Sequence, residues 1–133
     1  MNHRSLLVPA ALLGLGLSMG GCSSSREVEV TGNVTAAQGV TSGKVLLDFY
    51  DVQGSGSDLK LTSVSTANLD TPGAFTQKVN LEGENVVVRA IIDTNGDGQC
   101  NDGEAWGEQN VAIADNKADA SIEIKTQATC PTQ

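Results

Sequence analysis

Residues 120–125 read ASIEIK, and this stretch decides the fold class. Small or apolar side chains alternate with polar ones, so that Ala120, Ile122 and Ile124 face one way and the polar residues between them face the other. A period of two is typical of a strand with one buried face, whereas a helix repeats its apolar positions every three or four residues. This stretch therefore predicts a β-strand.

The same alternation recurs in residues 27–31 and 44–50, and further strand candidates are residues 59–65, 74–81, 85–92 and 109–114. Turn-forming residues lie between these runs. Breaks such as residues 54–57 (GSGS) and 70–73 (DTPG) supply the backbone angles that turns need. No stretch has apolar residues at helical spacing. Seven short, evenly spaced strands predict an all-β fold, an antiparallel seven-stranded β-sandwich.

The N-terminal residues have the composition of an export signal. Residues 5–17 are almost wholly apolar, and this run is shorter than the ~20 residues that a membrane-spanning helix needs. The small residues 18–21 (SMGG) follow and directly precede Cys22. This arrangement resembles the lipobox of bacterial lipoproteins, although Met19 stands where Leu is usual. An ordinary signal peptide cut nearby and a membrane-anchored helix are the alternatives.

The lipobox resemblance implies how the chain is divided and where it resides. Residues 1–21 would be a signal peptide that is removed, and Cys22 would carry the lipid that anchors the protein to a membrane. Residues 22–26 would form a polar tether, and residues 27–133 a single β-sandwich domain. Since Ser23 rather than Asp follows the cysteine, we expect the outer membrane of the cell envelope, with the periplasmic or surface face left open.

The charge of the chain argues against one class of partner, and its histidine content disfavours one class of chemistry. Removal of residues 1–21 takes away one arginine and the only histidine, so that the net charge falls from −8 to −9. Such an acidic surface argues against nucleic acid as a partner. A chain without histidine lacks the usual base for a Ser or Cys nucleophile, so we expect no enzymatic activity. We also expect a monomer.

The order of features resembles the prealbumin-like modules of the transthyretin and carboxypeptidase-regulatory type. The resemblance is carried by residues 43–51 (GKVLLDFYD), 71–75 (TPGAF) and 82–85 (EGEN), the last leading into the Val-rich residues 86–88. It extends over residues 28–124 and implies a β-sandwich, for which immunoglobulin-like and fibronectin-like domains are competitors. The hydrolases of the transthyretin-like family depend on histidines, so their activity is not carried over.

Residues 93–104 (DTNGDGQCNDGE) match the calcium-loop pattern D-x-[DN]-x-[DN]-G-x₅-E at every specified position. Calcium takes six to eight oxygen ligands, and Gly98 permits the sharp turn that brings such oxygens together. Glu104 could contribute both carboxylate oxygens. The candidate ligands are Asp93, Asn95, Asp97, the carbonyl of Gln99, Asp102 and Glu104. The pattern predicts a structural Ca²⁺.

The flanks of this loop differ from those of EF-hand proteins. Residues 86–92 are β-branched and predict a strand, and residues 105–107 (AWG) break the chain without an amphipathic helix. We therefore expect a strand–calcium loop–strand insertion, like those of prealbumin-like and adhesin domains, and no sensor-type opening. The alternative is an acidic hairpin without an ion.

Two further features lie near the loop. With Cys22 acylated, Cys100 and Cys130 are left as a pair in an oxidising compartment, which predicts a disulfide; two free thiols are the alternative. Trp106 either stacks on a ligand or caps the core.

Three classes of function compete on these observations. The first is a non-catalytic, calcium-stabilised β-sandwich that presents a binding or structural surface to a protein or glycan partner. The second is an accessory subunit or small-ligand carrier of an outer-membrane complex. The third, a hydrolase, is the weakest because the mature chain has no histidine.

Overall fold

The computed structural model describes residues 24–41, 43–127 and 129–131. The predicted signal peptide and the lipidation site Cys22 lie outside these ranges. Seven strands make up most of the described chain. They are β1 (Arg26–Ala36), β2 (Val45–Gln53), β3 (Lys60–Leu69), β4 (Ala74–Leu81), β5 (Asn85–Ile92), β6 (Ala105–Ala112) and β7 (Lys117–Thr126). The predicted all-β class and the number of strands are confirmed.

Helical structure in these ranges is confined to one short 3₁₀ turn, Gly56–Asp58. Within the described residues, no helix has the length and apolar character needed to cross a membrane.

The strands form a mixed sheet in the order β3-β2-β5-β6-β7-β1-β4. All neighbouring strands pair antiparallel except β1 and β7, which run parallel with Val34 opposite Ile122. The prediction of a purely antiparallel sandwich is therefore wrong. The prediction failed because side chains alternate with the same period in parallel and antiparallel sheets. The pattern within one strand therefore does not reveal the direction of its neighbour.

The sheet curls until it nearly closes, which gives it a sandwich-like cross-section. Strands β6 and β7 pair only where Ala105 and Trp106 meet Thr126 and Lys125. At the outer edges, β3 approaches β4, and the Gln77 side-chain amide donates a hydrogen bond to the Ser65 hydroxyl at 3.3 Å. The two halves thus enclose one apolar interior.

The interior is filled by the apolar residues of the alternating pattern. Its buried members are Val28, Val30, Val34, Val45, Leu47, Phe49, Phe75, Val79, Leu81, Val86, Val88, Ala90, Ile92, Ala118, Ala120, Ile122 and Ile124. Phe49 and Phe75 pack edge to face with ring centroids 6.0 Å apart. The predicted inward orientation of Ala120, Ile122 and Ile124 is confirmed. Burial of these side chains is the dominant stabilising term for a domain of this size.

Strand β6 begins at Ala105, four residues before the predicted start at Gln109. Residues 105–107 do not break the chain, because Gly107 lies within the strand, opposite Ala90 of β5. A Cβ atom at Gly107 would stand 2.2 Å from the Glu123 carbonyl oxygen of β7. The glycine therefore marks a close approach of two backbones.

The start of β1 and the loop 93–104 lie at opposite ends of the domain. The Arg26 guanidinium donates to the backbone carbonyl of Gly83 at 2.9 Å, in the turn between β4 and β5. Strand β5 begins beside this turn and runs to the loop at its other end. Eight residues at a rise of about 3.3 Å separate the two ends by about 25 Å.

Candidate metal centre

The loop 93–104 connects two adjacent antiparallel strands, β5 and β6, as the strand–loop–strand prediction required. Three of its glycines adopt positive φ angles: 75° at Gly96, 75° at Gly98 and 93° at Gly103. Side chains with a Cβ atom are disfavoured in this region, so glycine makes these three turns possible without strain. Gly98 is the glycine that the calcium-loop pattern specifies.

The first carboxylate of the loop is held by backbone groups ahead of it. Asp93 accepts a hydrogen bond at Oδ1 from the N–H of Gly96 and at Oδ2 from the N–H of Gly98, both at 2.8 Å. The loop residues 94–99 are exposed and lack core contacts. These two hydrogen bonds therefore set the path of the chain around Asp93.

Two further side-chain oxygens repeat this arrangement. Asn95 Oδ1 accepts from the N–H of Asp97 at 3.1 Å, and Asp97 Oδ1 accepts from the N–H of Gln99 at 2.9 Å. Asp97 Oδ2 accepts from the side-chain amides of Asn95 and Asn101 at 3.2 and 2.9 Å. The hydrogen bonds from the Asn101 side chain and the Gln99 backbone lower the pKa of Asp97 below its ordinary value, so this carboxylate is ionised at neutral pH.

Glu104 closes the loop from its far end. Its side chain is buried, and Oε1 accepts from both the N–H and the hydroxyl of Thr94, at 2.9 and 3.0 Å. Its Oε2 accepts from the N–H of Asn101 at 2.9 Å. One carboxylate thus joins the second, ninth and twelfth positions of the loop.

Whether these oxygens suit a hard cation depends on the acceptor capacity that their hydrogen bonds leave. A carboxylate or amide oxygen can accept about two contacts. Both oxygens of Asp93, Oδ1 of Asn95, Oδ1 of Asp97 and Oε2 of Glu104 each accept one hydrogen bond. With the carbonyl of Gln99, six oxygens of the loop therefore retain capacity for a further contact, whereas Ca²⁺ requires six to eight oxygens around one point.

Glu104 has less acceptor capacity than the calcium-loop pattern predicts. Both acceptor sites of Glu104 Oε1 are taken by Thr94, so in this arrangement Glu104 offers a cation one oxygen instead of two. Among the described residues, no group of three or more His, Cys, Asp or Glu side chains is placed so that it could hold a metal ion. Two of the six predicted ligands, Asn95 and Gln99, are of other types. The calcium site stays a prediction.

The predicted disulfide between Cys100 and Cys130 is present. It brings the C-terminal segment 129–131 against the loop, where the N–H of Cys130 donates to Asp102 Oδ1 at 3.2 Å. The sixth candidate ligand, Asp102, therefore contacts this segment.

Trp106 donates from its indole nitrogen to the Thr129 carbonyl at 2.9 Å and is half-buried outside the core, so it does not cap the core.

A polar network that the sequence did not predict lies beside the loop, on the outer face of the sheet. The Arg89 side chain donates to Glu108 Oε2 at 2.9 Å and to the Tyr50 hydroxyl at 3.0 Å. The Tyr50 hydroxyl donates to Asp48 Oδ2 at 2.6 Å, and the Ser63 hydroxyl donates to Asp48 Oδ1 at 2.6 Å. The network thus crosses four strands, β3, β2, β5 and β6.

Two members of this network are unusually buried for an outward-facing position. Arg89 is 4 % exposed and Tyr50 is 7 % exposed. Burial, together with the hydrogen bond to Asp48, raises the pKa of Tyr50 to about 12, against the opposing effect of the Arg89 charge. Alternation within β2 and β5 places both side chains outward, where solvent exposure is usual. Polar residues at outward positions of neighbouring strands would reveal the network only once the pairing of the strands is known.

Of the cavities in the described part of the protein, one lies beside the network and another lies far from it. One, of about 160 Å³, is lined by Tyr50, Arg89 and both cysteines of the disulfide, and so lies between the network and the loop. The other, of about 620 Å³, is lined by Val52 and Leu59 at the opposite end of the domain.

No protein-family model matches the chain, and comparison with curated proteins gives no match. Function is therefore inferred from the residues themselves.

Proposed function

We propose that the chain is a lipid-anchored, non-catalytic lipoprotein of the bacterial cell envelope, whose all-β domain binds one structural Ca²⁺ in the loop 93–104. The observation that supports it best is the hydrogen bonding of Asp93, Asn95 and Asp97. Backbone N–H groups orient their oxygens while leaving each with capacity for a cation. Such preorganisation lowers the cost of ordering the loop when an ion binds.

The charge of the loop also favours a bound cation. Residues 93–104 contain four carboxylates and no lysine or arginine. Like charges at this spacing repel one another, and a divalent cation would offset the repulsion. Extracellular calcium modules function with dissociation constants of about 10⁻⁴–10⁻³ M, so a modest affinity would suffice outside the cytoplasm.

The position of the proposed anchor bears on which end of the domain would face the membrane. Cys22 precedes the first residue of β1, Arg26, by four residues, and Arg26 lies at the end of the domain opposite the loop. A lipid on Cys22 would therefore hold the β4–β5 turn toward the membrane. The calcium loop and the C-terminal segment would face away from it, toward a protein or glycan partner.

The anchor is tested by labelling cells that express the full chain with radioactive palmitate. We expect label in the wild-type protein and in Cys100→Ser, but none in Cys22→Ser. Cys100→Ser is the matched control because it removes a cysteine elsewhere in the chain. Label that persists in Cys22→Ser, or is absent from the wild type, would contradict the lipoprotein proposal.

Calcium binding is tested directly by isothermal titration calorimetry of the purified protein with Ca²⁺ and, separately, Mg²⁺. We expect one Ca²⁺ per chain and no binding in Asp97→Ala. Asp119→Ala is the control, since Asp119 is an exposed carboxylate on β7, outside the loop. Equal heats for Asp97→Ala and the wild type would place any bound Ca²⁺ elsewhere.

A further inference from the structure

The C-terminal segment 129–131 is joined to the candidate calcium loop and its flank at three points. The first is the covalent link between Cys100 and Cys130. The second is the hydrogen bond from the N–H of Cys130 to Asp102, at 3.2 Å. The third is the hydrogen bond from the Trp106 indole to the Thr129 carbonyl, at 2.9 Å. The segment is therefore packed against the outside of the loop.

We infer that the Cys100–Cys130 disulfide sets the affinity of the loop for Ca²⁺, and that bound Ca²⁺ in turn protects the disulfide from reduction. This inference rests on the proposed function of the loop as a calcium site. It adds a coupling between that site and the redox state of the two cysteines.

The coupling follows from what flanks Cys100. On one side is Gln99, whose carbonyl is a candidate ligand and whose N–H orients Asp97. On the other side is Asn101, which donates from its side chain to Asp97 at 2.9 Å and from its backbone to Glu104 at 2.9 Å. A crosslink at Cys100 therefore restrains the neighbours of three candidate ligands at once.

Without the crosslink, this side of the loop is held by hydrogen bonds and no longer by a covalent link. Residues 94–99 and 102–103 are exposed, and the hydrogen bonds of residues 95–99 are made within the loop. Fixing an exposed backbone residue costs conformational entropy. A reduced loop would bear more of this cost at the moment of binding, so its affinity would be lower.

The converse effect is required by thermodynamic linkage, because two coupled equilibria shift each other by the same factor. Reduction by a dithiol such as dithiothreitol cleaves the S–S bond. The two cysteine sulfurs each gain one electron and one proton, and the dithiol closes to its cyclic disulfide. Both cysteines are partly exposed and border the 160 Å³ cavity, so a small reductant has a route to them.

The first test compares the calcium affinity of the full-length oxidised wild type, purified in detergent, with that of Cys100→Ser/Cys130→Ser. We expect the dissociation constant measured by calorimetry to rise between about fivefold and hundredfold in the double variant, the range typical of coupled sites. Circular dichroism establishes that the variant is folded. Equal dissociation constants in two folded proteins would overturn the inference.

The second test uses the wild type alone and so does not depend on the folding of a variant. The fraction of reduced Cys100–Cys130 is measured by thiol alkylation across ratios of reduced to oxidised dithiothreitol, in excess Ca²⁺ and in chelator. We expect the midpoint to require a more reducing ratio in Ca²⁺, by the same factor as the change in affinity. Coincident midpoints would overturn the coupling while leaving the calcium site in place. Absence of Ca²⁺ binding to the oxidised wild type would overturn the proposed function and this inference with it.

Discussion

The carboxylate of Glu104 accepts hydrogen bonds from both the backbone N–H and the hydroxyl of Thr94, at 2.9 and 3.0 Å. These two residues are ten positions apart and stand at the two ends of the loop between β5 and β6. Glu104 is 5 % exposed whereas Thr94 is exposed, so the contact is partly shielded from competing water. Part of the loop geometry is therefore maintained by the protein itself, without an ion.

Replacement of Glu104 by Gln should destabilise the domain even in excess chelator. The amide would present an NH₂ group to one of the donors that now bind a carboxylate oxygen. Hydrogen bonds to charged groups contribute about 1.5–3 kcal/mol, and we expect a loss of this size in the free energy of unfolding from urea titration. The control is Glu123→Gln, an exposed residue paired with Lys125, which should change stability by less than about 0.5 kcal/mol. Equal effects of the two substitutions would contradict this account of Glu104.

Gly107 should tolerate no side chain. Its Cβ would lie 2.2 Å from the Glu123 carbonyl oxygen, so Gly107→Ala must push β6 and β7 apart where they come together. Overpacking of this kind costs about 1–3 kcal/mol, which urea titration will resolve. Gly73→Ala is the control, because its Cβ would come no closer than 4.0 Å to the Thr71 carbonyl oxygen. A Gly107→Ala protein as stable as Gly73→Ala would show that the two strands are not in close contact.

Tyr50 can be titrated without interference because it is the only tyrosine in the chain. Phenolate absorbance should show a midpoint near the pKa of about 12, instead of the ordinary value of about 10. The raised pKa means that the folded state favours the neutral phenol. The neutral phenol therefore stabilises the fold fully below pH ~10, the pKa in the unfolded chain, and this stabilisation is lost as pH rises through the pKa of Tyr50 in the folded protein. Tyr50→Phe should lack this loss. A midpoint near 10, with circular dichroism showing folded protein, would contradict the buried network.

Asp51 should contribute to loss of stability in acid. Burial alone would raise its pKa, but hydrogen bonds from the Gly83 N–H, the Gln53 side chain and the Glu82 N–H outweigh burial and lower it. A lowered pKa means that the carboxylate stabilises the fold above its ordinary pKa of about 3.9, and that this contribution is lost as pH falls through the folded value.

The substitution Asp51→Asn should therefore flatten the fall in unfolding free energy below pH ~4, as measured by urea titration. Asp119→Asn, at an exposed position on β7, should keep the slope of the wild type. The same slope in Asp51→Asn and the wild type would show that Asp51 is not held as an ion by the β4–β5 turn.

The inward-facing residues of strands such as β7 and the first part of β2 could be predicted from the sequence, because burial there follows a period of two. Val45, Leu47 and Phe49 are examples, and each is fully buried. The disulfide could be predicted by counting, since two cysteines are left once Cys22 is set aside. The parallel pairing of β1 with β7 could not, because it depends on contacts between strands that lie far apart in the sequence.

The same limit applies to the site. The spacing of the loop predicted candidate ligands between β5 and β6, and the calcium site stays a prediction; the occupation of Glu104 Oε1 by Thr94 could not be predicted, because it depends on the rotamers of the folded loop. Arg89 illustrates the limit more strongly, because its partners Tyr50 and Glu108 are on neighbouring strands. Patterns within a strand identify faces, and contacts between strands require the fold.

The central claim is that Ca²⁺ stabilises this domain, and thermal unfolding of residues 23–133 tests it most directly. Unfolding would be followed by circular dichroism in excess Ca²⁺, in excess Mg²⁺ and in chelator. At a hundredfold excess over the dissociation constant, a ligand specific to the folded state adds about 2.7 kcal/mol, which corresponds to roughly 10 °C in a domain of this size. We predict this increase in Ca²⁺ alone, its loss in Asp97→Ala and its retention in Asp119→Ala. Identical melting temperatures in all three conditions would contradict the claim and leave residues 93–104 as an acidic hairpin without an ion.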